Sequence, residues 1–93
     1  MFVHISIHYP KPEYEGTLIE SMHRFGAAVA GAPGLRHAMT LKDEETGRLV
    51  GLMVWDSREA REAAIERSRA AVANDDFDLW EAREPEGYLL NDV

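Results

Sequence analysis

Residues 49–60 read LVGLMVWDSREA, and this stretch decides the fold. Its first seven residues, Leu49 to Trp55, are apolar at every position, so they predict a strand that is covered on both faces. Asp56 and Ser57 then offer a helix cap, and Glu59, three residues after Asp56, completes a capping box. The stretch therefore predicts a buried strand that leads directly into a helix.

The segments on either side of this stretch supply the remaining elements. Alternation of side-chain type predicts further strands, and the four-three-four spacing of Leu18, Met22, Phe25 and Val29 predicts a helix. In chain order we predict strands over 2–9, 35–41, 49–55 and 88–93, helices over 13–30 and 57–73, and a helical turn over 77–80. The order βαββαβ is that of a ferredoxin-like α+β domain with a four-stranded antiparallel sheet. One such domain accounts for residues 1–93, and both faces of its sheet are too mixed to show which one meets the helices.

Composition narrows the classes of partner. The chain has 93 residues, no cysteine, and 17 acidic against 10 basic residues, for a formal net charge of −7. A surface of that sign disfavours nucleic acid and anionic membranes, and no segment is typical of a signal peptide or a membrane span. We therefore expect a cytoplasmic protein with no nucleic acid and no membrane partner. The acidic runs at 43–45 and 75–76 are expected to be solvated loops.

The two-sided strand also predicts a second subunit. Helices can cover one face of the sheet, but a chain of this length has little left to cover the other. A second copy is the simplest source of that layer. We therefore expect a homodimer that forms through the open sheet face.

Two motifs resemble those of a known family. They are GAPGL at 31–35, where the first helix gives way to a strand, and GLMVWDSREA at 51–60. With the element order, they resemble the antibiotic biosynthesis monooxygenase (ABM) domain of the dimeric α+β barrel superfamily, over nearly the whole chain. The resemblance implies that two domains pair their open sheet faces into a barrel. It also implies a possible oxidoreductase, because similar proteins include oxygenases of aromatic polyketides or quinols that use neither metal nor flavin.

The haem-degrading branch of the same family does not fit the sequence. Those enzymes carry an asparagine in the first strand, a second tryptophan inside the second helix and a histidine ligand near the end of that helix. The corresponding positions here are Ser6 or Ile7, Ala64 and Asn74, and no histidine follows His37. We therefore expect no haem, no other cofactor and no metal.

Oxygenation without a cofactor needs a base, and histidine titrates near neutral pH. The candidates are His37, His8 and His4. His4 and His8 share one strand face about 13 Å apart, too far for easy chelation of one ion, and either could simply be a polar residue facing the barrel, a cleft or solvent. His37 could equally be a hydrogen-bonded histidine at the start of a strand.

The pocket that the resemblance implies would be apolar, aromatic-lined and shielded from water. Its candidate lining residues, each of which could instead be plain core, are Trp55, Met39, Met53, Phe25, Trp80 and Tyr88.

Three functions stay open. The first is a cofactor-independent monooxygenase that acts on an aromatic phenol, quinol or polyketide. The second is a non-catalytic dimer on the same scaffold that binds a small ligand or is associated with stress, because the sequence contains no compelling catalytic constellation. The third is an isomerase or lyase of the same superfamily, which would turn over without oxygen.

Overall fold

The structure, a computed structural model, describes residues 1–93 and contains four strands and three α-helices. They are β1 (Phe2–His8), α1 (Glu15–Ala27), β2 (Leu35–Lys42), β3 (Leu49–Trp55), α2 (Arg58–Ala71), α3 (Phe77–Trp80) and β4 (Glu86–Asn91). The strands form one antiparallel sheet in the order β2-β3-β1-β4, which is the ferredoxin-like arrangement. The predicted α+β fold is confirmed. None of the helices is long and apolar enough to cross a membrane.

The register shows which face of the sheet meets the helices. In β1, the side chains of His4 and His8 contact α1 and α3, since the His4 ring lies edge-on to Phe25 and the His8 ring stacks on Phe77. Because side chains alternate along a strand, Val3, Ile5 and Ile7 lie on the opposite face. Their partners across the sheet extend that second face, and they are Val50, Leu52, Val54, Glu86, Tyr88 and Leu90. No helix covers it.

The element bounds differ from the predicted ones mainly at helix ends. The first helix was predicted over 13–30 but covers Glu15–Ala27, because Pro12–Tyr14 forms a separate 3₁₀ turn before it. At its end, the amides of Val29 and Ala30 bond to carbonyls three residues back, so the last turn is no longer α-helical. The final strand was predicted over 88–93 and covers Glu86–Asn91.

The cap of α2 also differs from the predicted capping box. Ser57 is the N-cap, and its Oγ accepts a hydrogen bond from the amide of Ala60 at 3.1 Å. Asp56 is not the cap, because its amide donates to the carbonyl of Gly34 and its carboxylate is 2.5 Å from the guanidinium of Arg36. Asp56 therefore holds the end of β3 to the start of β2.

The sequence led us to expect Asp75 in a solvated loop, but in the structure its carboxylate is bound by α1. It accepts a hydrogen bond from Ser21 Oγ at 2.6 Å and lies 3.0 Å from a guanidinium nitrogen of Arg24. Burial tends to raise the pKa of this carboxyl, but the bonds from Ser21 and Arg24 outweigh that effect and lower it. The loop after α2 is thereby fastened to α1.

The buried core divides into two clusters between the sheet and the helices. The larger cluster joins the sheet to the middle of α2 and to the turn that follows α1, and it comprises Phe2, Val29, Ala32, Met53, Trp55, Ala64 and Ile65. The smaller cluster comprises Leu18, Met22 and Leu49. On β3, Gly51 lies between residues of the two clusters and contributes no side chain to either. A gap in the packing is therefore expected at that position.

Candidate active site

A cavity of about 820 Å³ lies at that gap, between the sheet and the helices. Cavities of this size commonly hold small organic ligands. Its walls are largely apolar, and the large side chains among them are Met22, Phe25, Met53, Ile65 and Phe77. The cavity therefore has the size and lining of a ligand pocket.

Small residues in one row across the sheet form the floor of the cavity. Thr40 of β2, Gly51 of β3 and Ser6 of β1 are neighbours in this row, whereas Gly87 of β4, on the other side of Ser6, does not line the cavity. Gly51 itself has no room for a side chain, because an added Cβ would lie 2.6 Å from Ser6 Oγ and 3.4 Å from Met22 Cε. Larger residues at Ser6 or Gly51 would project into this space.

At one end of the cavity, His8 is paired with a carboxylate. His8 Nδ1 lies 2.5 Å from Glu81 Oε1, and Glu81 Oε2 accepts a hydrogen bond from the amide of Tyr9 at 2.7 Å. The Glu81 side chain is almost wholly buried, with 4% of its surface exposed, and the His8 ring stacks on Phe77 with 6.1 Å between ring centroids. With Nδ1 engaged by the carboxylate, Nε2 is the nitrogen left to accept a proton.

At the other end, His4 meets a buried arginine. Arg61 of α2 is 5% exposed, and its Nε donates to His4 Nδ1 at 3.4 Å. Burial, together with the positive charges of Arg61 and Arg69, lowers the pKa of His4 to about 4. His4 is therefore neutral at pH 7 and carries its proton on Nε2, where it can donate a hydrogen bond but is a weak base.

The structure brings together four of the residues that the sequence singled out. His4, His8, Phe25 and Met53 all line the cavity. The roles of these residues in binding or catalysis remain predictions.

The other predicted site residues lie elsewhere, or only at the margin of the cavity. His37 and Tyr88 are exposed on the sheet face that no helix covers. Met39 borders the cavity, but its register with Leu52 places its side chain on that same open face. Trp55 is fully buried in the larger core cluster with an indole N–H that has no partner, and Trp80 packs against Phe77. The alternation of side chains along a strand showed which residues share a face, but it could not show which of the two faces meets the helices.

Sequence reasoning missed Glu81 and Arg61. Glu81 is 73 residues from His8 along the chain, and no local pattern links the two. The sequence does contain a pattern that predicts the burial of Arg61. Arg61 lies four residues before Ile65 and seven before Ser68, on the buried stripe of α2. A charged residue on such a stripe is unusual enough to mark a functional position. No group of three or more histidines, aspartates or glutamates is placed to hold a metal ion.

Several solved structures have a fold similar to that of this chain. Rv0793 from Mycobacterium tuberculosis aligns over 99% of this chain and 94% of its own, with a TM-score of 0.83 and 16% identity. A candidate antibiotic biosynthesis monooxygenase from Nitrosomonas europaea aligns over 100% and 99%, with a TM-score of 0.73 and 18% identity.

SnoaB, a cofactor-independent oxygenase from Streptomyces nogalater, aligns over 98% of this chain and 91% of its own, with a TM-score of 0.73 and 14% identity. The chain has the fold of the antibiotic biosynthesis monooxygenases. No family model and no curated protein matches the sequence, and at these identities the likeness establishes the ABM fold alone.

Proposed function

We propose that this protein is a cofactor-independent monooxygenase that acts on an aromatic phenol, quinol or polyketide. The observation that carries the proposal is His8, a histidine oriented by the buried carboxylate of Glu81 at one end of an apolar cavity. The protein has to supply a base beside an apolar site, because the substrate itself supplies the electrons for oxygen. The likeness in fold to a cofactor-independent oxygenase supports the same choice.

In this proposal His8 and Glu81 have different roles. Nδ1–H of a neutral His8 donates to Glu81, so the Nε2 lone pair takes a proton from an acidic C–H or O–H of the substrate. The imidazolium that forms is stabilised by the adjacent carboxylate. His8 is a catalytic residue in this scheme, and Glu81 is a positioning residue.

For an anthrone, the proposed steps balance as follows. His8 removes a proton from the ring CH₂, and the resulting anion passes one electron to O₂, which gives a substrate radical and superoxide. The two radicals form a C–O bond, and the peroxide anion takes the proton back from His8. Cleavage of the O–O bond, with loss of the second C–H proton, then releases water and leaves the quinone carbonyl. One O₂ is consumed, with one oxygen atom in the product and one in water.

Oxygen uptake by metal-free protein tests this function. The substrates are a simple anthrone and a simple hydroquinone, with chelator and catalase present and a blank without protein. We expect protein-dependent uptake that falls about 10²- to 10⁴-fold in His8→Ala, because that is the usual contribution of a general base. Glu81→Gln should lower the rate less, and should shift the pH profile of the rate.

Other outcomes point to the alternatives. If His37→Ala abolishes uptake and His8→Ala does not, the base is on the open sheet face and the assignment made here is wrong. Uptake equal to the blank for both substrates would favour a non-catalytic ligand-binding or stress-associated dimer, and turnover without oxygen would favour an isomerase.

We propose further that the protein is a homodimer formed through the open sheet face. Several large apolar side chains of that face are between 43% and 46% exposed, and they are Met39, Leu41, Tyr88 and Leu90. A contiguous apolar surface of this kind is typical of an interface. A charge at its centre, as in Leu52→Lys, should give a monomer in sedimentation equilibrium, whereas Ala63→Lys on the exposed side of α2 should not.

A further inference from the structure

The permanently charged side chains that line the cavity, Arg61 and Arg69, are positive, whereas the protein as a whole is acidic. No aspartate or glutamate lines it, although acidic residues outnumber basic ones 17 to 10 in the chain. Its ionisable lining residues are His4, His8, His23, Arg61 and Arg69. Two of them have an acidic partner outside the lining, since Arg69 pairs with the exposed Glu66 and His8 with Glu81. A cavity of this kind favours a ligand that carries negative charge.

Arg61 is the lining residue best placed to bind a negatively charged group. Its side chain is 6% exposed, and its only ionic partner is Glu62 at 3.2 Å, a side chain that is 54% exposed. Nε is used by His4 and Nη1 by Glu62, whereas Nη2 makes no hydrogen bond within the chain. A buried guanidinium with a free donor and a weak countercharge gains most from a second anion.

We infer that Arg61 receives an anionic group of the ligand, so that the cavity takes an aromatic acid rather than a neutral aromatic. The inference rests on the proposed function for the place of the reacting ring, which would lie toward His8. The two ends are about 13 Å apart along β1, which is room for a carboxylate and two or three fused rings. His4, neutral with its proton on Nε2, supplies a second donor at the same end.

Two shape-matched probes test the inference by isothermal titration calorimetry at pH 7.5. They are 1-hydroxy-2-naphthoate and 1-naphthol, which differ by the carboxylate. We expect wild-type protein to bind the acid about 10- to 100-fold more tightly, as hydrogen bonds to a charged partner imply. Arg61→Met should lose most of this preference, with His4 and Arg69 left to supply the remainder, and Arg61→Lys should keep more of it, although a lysine contacts the carboxylate at one point only.

Arg67→Met is the matched control. Arg67 is an exposed arginine of the same helix that does not line the cavity, so its removal changes the net charge equally and should leave the preference intact. Equal affinity of the wild-type protein for both probes would overturn the inference, and so would a preference in Arg61→Met as large as that of the wild type. The wild-type comparison needs no variant, so it decides the matter even where Arg61→Met fails to fold.

Failure of the proposed function gives a different result. If the oxygenase proposal is wrong, oxygen uptake is absent while the preference for the acid persists. If only the inference is wrong, oxygen uptake depends on His8 and the two probes bind alike.

Discussion

The substitution Gly51→Ala tests whether the floor of the cavity depends on the absence of a side chain at position 51. An alanine Cβ there would lie 2.6 Å from Ser6 Oγ and 3.4 Å from Met22 Cε. Gly87 flanks Ser6 on the other side and has nothing within 4 Å of an added Cβ, so Gly87→Ala places the same group in open space. Overpacking costs about 1–3 kcal/mol, and the Ser6 hydroxyl can rotate, so we expect Gly51→Ala to be less stable than Gly87→Ala by about 1 kcal/mol.

Thermal unfolding of the two variants at one protein concentration measures the difference. For a domain of this size, about 1 kcal/mol corresponds to about 4–8 °C in Tm. Adding Ser6→Ala to Gly51→Ala removes the crowding oxygen and leaves Ser6 Cβ at 3.9 Å, so the double variant should recover most of the loss. Equal Tm values for the two glycine variants, or no recovery in the double variant, would refute this account of the cavity floor.

Two further predictions concern stability. The pKa of His4 is about 4 in the folded protein and 6.5 in the unfolded chain. Between pH 4 and pH 6.5 the unfolded chain therefore binds more protons than the folded protein. Stability should therefore be full above pH 6.5 and fall by up to about 3 kcal/mol toward pH 4, and urea unfolding of His4→Gln should show a shallower loss than wild type over that range. Ser68 is fully buried and donates to the carbonyl of Phe25 at 2.6 Å, so Ser68→Ala should lower the free energy of unfolding by about 1–2 kcal/mol in the same assay, whereas no change would mean that the carbonyl finds another donor.

The fold could be predicted from the sequence because its signals are local. The apolar run Leu49–Trp55 and the stripe from Leu18 to Val29 each predict an element from residues that are close in the chain, and each element is present. The exact cap of α2 could not be predicted, because Asp56 and Ser57 are both good capping residues. The choice depends on Arg36, which binds Asp56 across the sheet.

The site could be predicted only in part, because its geometry is not local. Alternation predicted that His4 and His8 share a face, yet the usual rule, that the more apolar face is covered by the helices, would have turned Val3, Ile5 and Ile7 inward. The reverse holds here, with the polar row beneath the helices and around the cavity. The pairing of His8 with Glu81 requires the whole chain to be folded before it exists.

The position of β1 in the sheet has a consequence for how the protein is made. β1 precedes the other three strands in the chain, yet it is a central strand, and Phe2 pairs with Trp55 on one side and with Asn91 on the other. At about 5–20 residues per second, its second neighbour is not synthesised until several seconds after it. Until then the apolar residues Val3, Ile5 and Ile7 have no completed sheet to join. The sheet therefore closes only once the segment that forms β4 is available to pair with β1.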